Sequence, residues 1–413
     1  MNTGTPNAAA GQPLAGLEPG EVVRLRLQSQ MLREPGAVSP EAVLRSLLAV
    51  QAQEFSYARW SLAQRVTASA GPVTAGDIEK AVADGRIPRT HILRPTWHFV
   101  HRDDLRWLLA LSAPRLEQAN AATYRRTGIN AAVAARSAEV LAGAVAGGNH
   151  LPREGLAEKL HDAGFPAKGL ELAYLVMHAE ISGVLVSGTP VRSPGGALKQ
   201  TYALFDERVP AGPEPAPDRA EALSELARRY FRSRGPATVK DCADWSGLTM
   251  TDIRKGVQLA VEAHPEALAQ TVIDGVVHYY GAAPYDGAGS HDAPAEPGAG
   301  GAGKAGPRID LIQCYDEYVM GYSATRHYLG GNAPTFPFQG EPMHVVLLDG
   351  RMAGSWRHGL YPGRCEVDVR LSRAETPGSP LARAVQAAVE RYGAFMGLPT
   401  VRVQPGLKLE GHQ

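Results

Sequence analysis

The stretch from Ala222 to Tyr280 constrains the fold more tightly than any other part of the chain. One helix closes over Leu226 to Arg232, and Thr238 stands where a capping residue should open the next, Val239 to Trp245. A capping hydroxyl satisfies backbone N–H groups that the first helical turn leaves without partners. Gly247-Leu248 makes a turn, Thr249 or Thr251 caps a third helix over Asp252 to Ala263, and Val272-Ile273-Asp274-Gly275-Val276-Val277 reads as strand, turn, strand. Asp-Gly between β-branched residues favours a two-residue hairpin turn, whose central residues both take positive φ. Helix, turn, helix and then hairpin is the order of a winged helix-turn-helix.

The order recurs upstream. Helices are expected over Glu21 to Arg33, then after the Ser39-Pro40 start, where Val43, Leu44, Leu47, Leu48 and Val50 run directly into Gln51-Ala52-Gln53. Two more cover Tyr57 to Val66 and, capped by Thr74, Gly76 to Ala83. Thr90 to Leu93 and Thr96 to Val100, parted by Arg94-Pro95, read as a hairpin. A second unit has helices at 130–146 and 152–162, an apolar helix from Leu172 to Leu185, and a strand from Thr201 to Phe205. Residues 282–307 are almost wholly Gly, Ala, Pro, Asp and Ser and read as a flexible insertion. Beyond it, strands at Ile309 to Cys314, Val345 to Leu348, Met352 to Trp356 and Val367 to Leu371 precede a helix from Leu381 to Met396. The expected organisation is a mainly helical α+β chain with a tail (1–18), three winged-helix modules (19–128, 129–210, 211–281), the insertion (282–307), an α+β part (308–400) and a second tail (401–413).

At 413 residues the chain has room for two or three domains of roughly 100–200 residues each. Its 42 basic and 42 acidic residues balance, so only their placement can speak for or against a nucleic-acid partner. Two runs are uneven. Arg86 to Arg126 holds eight arginines against Asp103, Asp104 and Glu117, and Arg228 to Lys240 holds Arg228, Arg229, Arg232, Arg234 and Lys240 with no acid. Each is either a solvated helix face or part of a DNA-binding surface. Cys242, Cys314 and Cys365 show no metal-ligand spacing. With no signal-like or membrane-spanning apolar run, a soluble cytoplasmic protein is expected.

Taken in order, five groups of residues resemble the AlkZ-like winged-helix DNA glycosylases. They are Leu47-Leu48-Ala49-Val50-Gln51-Ala52-Gln53-Glu54; Arg94-Pro95-Thr96-Trp97-His98; Arg234-Gly235-Pro236-Ala237-Thr238 with Trp245-Ser246-Gly247-Leu248; Tyr315-Asp316-Glu317-Tyr318 with Gly321-Tyr322 and Arg326; and Gly350-Arg351 with Gly354-Ser355-Trp356-Arg357. The resemblance spans about residues 21–397. It implies three tandem winged helices in a C-shaped body that holds duplex DNA, with the glutamine–aliphatic–glutamine signature, here Gln51-Ala52-Gln53, at the catalytic centre. A sister branch carries Asp at the second polar position, so Gln53 places this chain on the AlkZ-like side. It further implies excision of alkylated purines, bulky N7-alkylguanine adducts and interstrand crosslinks of azinomycin-like agents among them, in repair that protects producers of DNA-alkylating antibiotics.

A glutamine cannot serve as a general base near neutral pH. An N7- or N3-alkylated purine already carries positive charge, however, and leaves as a neutral molecule without protonation. Positioning and electrostatics then remain: a carbonyl to hold the attacking water and amide dipoles near the oxocarbenium-like transition state. Gln53 is expected to orient the water and Gln51 to contact lesion or sugar, or the reverse. Residues i and i+2 do not share a helix face, so joint action requires the helix to end near Gln51. Arg94, Thr96, His98, Arg326, Arg351, Trp356 and Arg357 are candidate DNA contacts, Trp356 fitting the core better than a base wedge. Asp316 and Glu317 fit an ion pair with Arg326 or a helix cap better than chemistry. No lysine flanks Gln51 to form a Schiff base, the nearest downstream being Lys80, and the chemistry calls for no metal or organic cofactor. A monomeric, nucleoid-associated enzyme is expected. The alternative is a non-enzymatic winged-helix regulator, which usually carries one such module and dimerises on palindromic half-sites.

Overall fold

The computed structural model describes residues 17–165, 168–193, 198–212, 215–282, 306–330, 344–405 and 409. Residues 283–305 of the expected insertion and nearly all of the first tail lie outside the described residues, as does most of the second.

Helices begin where the sequence supplies acceptors. After α1 (Pro19–Ser29), Ser39 Oγ accepts from Ala42 N at 3.1 Å and opens α2 (Pro40–Leu47). The apolar pattern predicts a helix through Val50, but the chain leaves it at Leu47. Leu48 takes φ 70° and ψ −51°, and Ala49–Gln51 becomes strand β1. Leu48 and Val50 are buried as a helical pattern demands, yet Val50 is buried from a strand, and burial alone does not tell the two apart. α3 (Phe55–Ala63) and α4 (Ala75–Ala83) follow, the latter opened by Thr74 and Asp77 in a reciprocal capping box. β2 (Arg89–His91) and β3 (Trp97–Val100) form the expected hairpin, and β1 adds antiparallel to β3, giving the order β1-β3-β2 with Gln51 opposite His98.

α5 (Arg102–Thr127) is a 26-residue helix without a counterpart in the sequence pattern. Its first half is buried around most of its girth and its second only along Leu116, Asn120 and Tyr124, so no single apolar stripe runs its length. The next unit comprises α6 (Ala131–Val145), β4 (Leu151–Pro152), α7 (Arg153–Asp162), α8 (Gly169–Ile181), β5 (Leu185–Ser187), β6 (Val191–Arg192), β7 (Leu198–Lys199), β8 (Thr201–Leu204) and α9 (Phe205–Arg208). Its sheet runs β4-β8-β5, with β6 paired to β7 apart from it. α8 stops at Ile181, and Leu185, the expected helix end, instead opens strand β5.

α10 (Arg219–Arg234), α11 (Val239–Ser246) and α12 (Met250–Ala263) lead to the hairpin of β9 (Leu268–Ile273) and β10 (Val276–Gly281). Thr238 caps α11 and Thr249, not Thr251, caps α12, each boxed with the aspartate three residues on. The last part holds β11 (Ile309–Ile312), α13 (Glu317–Met320), β12 (His344–Leu348), β13 (Arg351–Tyr361), β14 (Arg364–Leu371), α14 (Pro380–Met396) and β15 (Thr400–Arg402), with a five-stranded sheet in that strand order. Both Asp-Gly turns have the positive φ their hairpins need: 50° and 75° at Asp274 and Gly275, 50° and 82° at Asp349 and Gly350.

The apolar cores join distant segments. Leu44, Leu47, Tyr57, Leu62 and Ile78 share one cluster with Trp356, Val367, Val385 and Tyr392, so the first helices and the C-terminal sheet are packed as one body. Leu48, Leu93 and Leu108 pack with Tyr230 and Trp245, tying the first hairpin and α5 to α10 and α11.

Beneath the first cluster lies a fully buried ion pair, Arg65 to Asp316 at 2.7 Å, with Asp316 also accepting from Ser61 Oγ at 2.6 Å and Tyr318 N at 2.9 Å. Burial alone would raise the Asp316 pKa, but the Arg65 charge and these hydrogen bonds overcome it and hold the carboxyl below its ordinary value. A depressed native pKa means stability that is present above the unfolded pKa and lost as pH falls through the folded one. Asp316→Ala is expected to cost about 3–5 kcal/mol, because it strands the Arg65 charge. Denaturant melts should show that loss at neutral pH and a much smaller difference from the parent once the pH has fallen through the depressed folded-state pKa of Asp316.

Candidate active site

The Gln51-Ala52-Gln53 segment is held from four directions. Leu48, at positive φ, swings the chain from the end of α2 onto the edge of the first sheet, a conformation that costs a non-glycine residue roughly 1–3 kcal/mol and persists only where surroundings impose it. The surroundings are a buried pair of opposite charges. Arg234 donates to the carbonyls on either side of Leu48, Leu47 O at 2.9 Å and Ala49 O at 3.2 Å, and to Glu317 Oε2 at 2.7 Å. Glu317 accepts from Gln51 N at 2.8 Å with its other oxygen and from Trp245 Nε1 at 2.6 Å. Gln313 Nε2 donates to Gln51 O at 3.0 Å. Both outward backbone groups of Gln51 on an edge strand are thereby closed to any further strand.

The side chains turn to the hairpin. Gln51 is 2% exposed, and its Oε1 accepts from Arg94 Nη2 at 2.7 Å. Ala52 N donates to Trp97 O at 2.7 Å, and Gln53 Oε1 accepts from Trp97 N at 3.3 Å. Arg89 clamps the same segment from below, giving Nε to Ala52 O at 2.8 Å and Nη2 to Gln53 O at 3.3 Å while its guanidinium lies 4.5 Å from the Trp97 ring. Burial pushes its pKa down to about 10, so it stays charged at neutral pH. Gln53 is only half-buried and borders a pocket of about 180 Å³ that Phe55, Arg89, Ser187 and Gln200 also line. Glu54 engages the C-terminal sheet instead, through His344 Nε2 at 3.3 Å.

His98 is wholly buried. Its Nδ1 meets the Thr96 carbonyl at 2.9 Å, which can only accept, so Nδ1 carries the proton and Nε2 accepts from Arg94 Nη2 at 3.3 Å. Burial first, and the Arg94 charge second, hold its pKa well below the ordinary histidine value. It is a neutral support for Arg94, not an acid. Arg94 itself also donates to the Trp245 carbonyl, and the neighbouring Leu93, at φ 64°, lies so close to the Gly247 turn that a Cβ there would sit 2.4 Å from Leu93 O.

The other predicted residues scatter. Thr96 is half-buried on the same loop. Arg326 is half-buried and donates to Tyr322 O at 3.0 Å, and Arg351 is exposed after the Asp349-Gly350 turn. Trp356 is 0% exposed, donating to Ile312 O at 2.9 Å, so it is core and not a groove contact. Arg357 is likewise buried, paired at 3.4 Å with Asp368 across the sheet. The sequence places both on one hairpin with Arg351, but they point to opposite faces of β13 and both faces are covered there. Asp316 and Glu317 pair with Arg65 and Arg234 in place of Arg326. Ion pairs take up part of each basic run: Arg106 with Asp206 in the first, and Arg229 with Asp104, Arg228 with Glu225 and Lys240 with Asp244 in the second. Arg89 escaped notice because a buried arginine bonding backbone carbonyls leaves no signature beyond its charge.

A model of the DNA glycosylase AlkZ-like family matches residues 44–395, which include both glutamines and all the residues that fix them. The chain belongs to the AlkZ-like DNA glycosylases. It is therefore a DNA-repair glycosylase, as the resemblance read from its motifs implies. Among solved structures, the DNA glycosylase AlkZ of Streptomyces sahachiroi has a similar fold, with a TM-score of 0.67 at 21% identity over 94% of this chain and 100% of that one. No curated protein matches the chain. Among the described residues no helix is long and apolar enough to cross a membrane, and no group of His, Cys, Asp or Glu is placed to hold a metal ion.

For a glycosylase built this way, the groups bonded to the glutamine side chains do not titrate near neutrality. Base release under single-turnover conditions should be flat from about pH 6 to about pH 8. A profile that bends near the ordinary histidine pKa of about 6.5 would show that a titrating group takes part in the reaction.

Proposed function

We propose that this glycosylase hydrolyses the N-glycosidic bond of alkylated purines in double-stranded DNA and leaves an abasic site, with Gln51 and Gln53 at its reaction centre. The observation that carries this reading is the pair of amides, both oriented by one hairpin, with neither side chain bonded to a group that titrates near neutrality. Such a centre suits a leaving base that is already cationic, because no proton must be delivered to it. Bulky N7-alkylguanine adducts and interstrand crosslinks fall within this class, and resistance to a DNA-alkylating antibiotic is the setting we propose.

Gln53, half-buried and beside the pocket, orients the attacking water; Gln51 meets the purine or the sugar. Arg94, Arg326 and Arg351 meet the DNA backbone, with Thr96 and His98 fixing Arg94. The three successive helix–hairpin units act as tandem winged helices in a C-shaped monomer around the duplex, in a cytoplasmic, nucleoid-associated enzyme. Lys199 also borders the Gln53 pocket, but its ammonium is exposed and paired with Glu154 at 2.8 Å. A Schiff-base lysine has to be desolvated or otherwise depressed in pKa. Water is therefore the nucleophile and the enzyme is monofunctional.

Incubation with a duplex carrying one N7-methylguanine, followed by alkaline cleavage of abasic sites, tests the reading. Strand scission above mock-treated DNA is expected, falling about 100-fold or more in Gln53→Ala, the scale of losing one positioned polar group at a reaction centre. No scission with either N7-methylguanine or a bulky N7 adduct would falsify it. Borohydride added during turnover should trap no protein–DNA adduct; a trapped adduct would mean a lyase and an amine nucleophile.

A further inference from the structure

We infer that Arg94 is a positioning residue that turns the Gln51 amide into a hydrogen-bond donor and holds a DNA phosphate with the N–H groups it has left. The inference rests on the proposed reaction and deepens it.

A guanidinium has five N–H donors and cannot be deprotonated in proteins. Arg94 uses three: one from Nη1 to the Trp245 carbonyl and two from Nη2, to Gln51 Oε1 and to His98 Nε2. Nε–H and the second Nη1–H remain, on a half-buried side chain. Among the described residues no carboxylate lies within ion-pair distance of it, whereas Arg65, Arg229 and Arg234 are each matched by one. Glu317, the acid that most influences Arg94, is already committed to Arg234, Trp245 Nε1 and Gln51 N. A partly buried cation without a counter-ion is costly to maintain, and the anion that a DNA enzyme meets is phosphate, which a guanidinium fork binds well.

The same contact decides what Gln51 offers. A free glutamine presents its carbonyl and its NH2 interchangeably. Here the carbonyl faces a guanidinium at 2.7 Å, and Nε2 has no partner among the described residues. What remains for the substrate is an N–H donor. As the C1′–N9 bond breaks, its electron pair passes into the purine, cancels the positive charge and raises electron density on the ring's acceptor atoms. A donor fixed beside them is bound more strongly as the bond breaks than before, which is what accelerates the step. His98, neutral and accepting from Arg94, completes the cradle without adding charge.

The test uses the full chain with Arg94→Met and Arg94→Lys, on an unmodified duplex for binding and an N7-methylguanine duplex for base release. If Arg94 holds a phosphate, the slope of log K against log salt shrinks by about one in Arg94→Met and is kept in Arg94→Lys. If it also orients Gln51, single-turnover release falls at least tenfold in both variants, and Gln51→Ala added to Arg94→Met costs less than threefold more, because the two act as one unit. An unchanged slope in a folded Arg94→Met protein overturns the phosphate contact, and independently multiplying rate losses overturn the positioning role. Should Arg94→Met fail to fold, Arg94→Lys decides: slope kept with rate lost supports the inference, and an unchanged rate refutes it. Should the parent protein release no alkylated base at all, the proposed reaction falls first, and the binding slope still judges Arg94.

Discussion

Glu317 is the residue on which the rest of this structure depends. Its carboxylate is fully buried and answers Arg234, Trp245 and the Gln51 amide at once. A buried carboxylate is tolerable only where a cation and several donors meet it, so the segments that supply them must converge. The end of α2, the end of α10, the α11 helix and the start of α13 are therefore drawn to one point. The same charges hold Leu48 in a conformation it would not choose alone, since Arg234 takes up the two carbonyls that the turn frees.

That convergence is what fixes the segment from Gln51 to Gln53 that we propose as the reaction centre. A helix would have sent the two side chains to different faces, whereas an edge strand docked on a hairpin gives both amide carbonyls partners on that hairpin. The electrostatics follow. Arg89 and Arg94 lie against the motif with carbonyls and a neutral histidine as partners, while the acids nearby are committed to other cations. On the proposed reading the site thus presents positive charge to DNA and polar, non-titrating groups to the base. Such an arrangement supports a reaction whose difficulty lies in placing a water and stabilising a redistribution of charge, not in moving a proton to the leaving group.

How much of this was legible depended on whether a signal was local. Ser39, Thr74, Thr238 and Thr249 cap helices because a hydroxyl one turn before a helix has nearby N–H groups to satisfy, whatever lies elsewhere. Asp274-Gly275 and Asp349-Gly350 are turns for an equally local reason, the low cost of positive φ. Non-local signals misled. The apolar run through Val50 looks helical because burial is shared by both structures. α5 was invisible because its surroundings change along its length. Arg357 reads as a groove contact from its motif and Trp356 as core more than groove, and both are buried because each face of β13 is covered there: Trp356 packs in the core with α3 and α14, and Arg357 pairs with Asp368. The arginine runs read as charge, but several members are taken up in separate ion pairs, while Arg89 and Arg94 lie against the glutamine motif with carbonyls as partners.

By itself the sequence determined where helices start, where hairpins turn, which family the chain belongs to and which two glutamines to watch, since each rests on contacts within a few residues or on motifs in fixed order. Only the tertiary structure decided that the helix ends before Gln51, that Glu317 and Arg234 pin the turn, and that Arg94 rather than a free solvent face meets the Gln51 amide. Those outcomes depend on buried charges finding partners 83 and 266 residues away, and the pairing is set by how the cores pack, which no local pattern encodes.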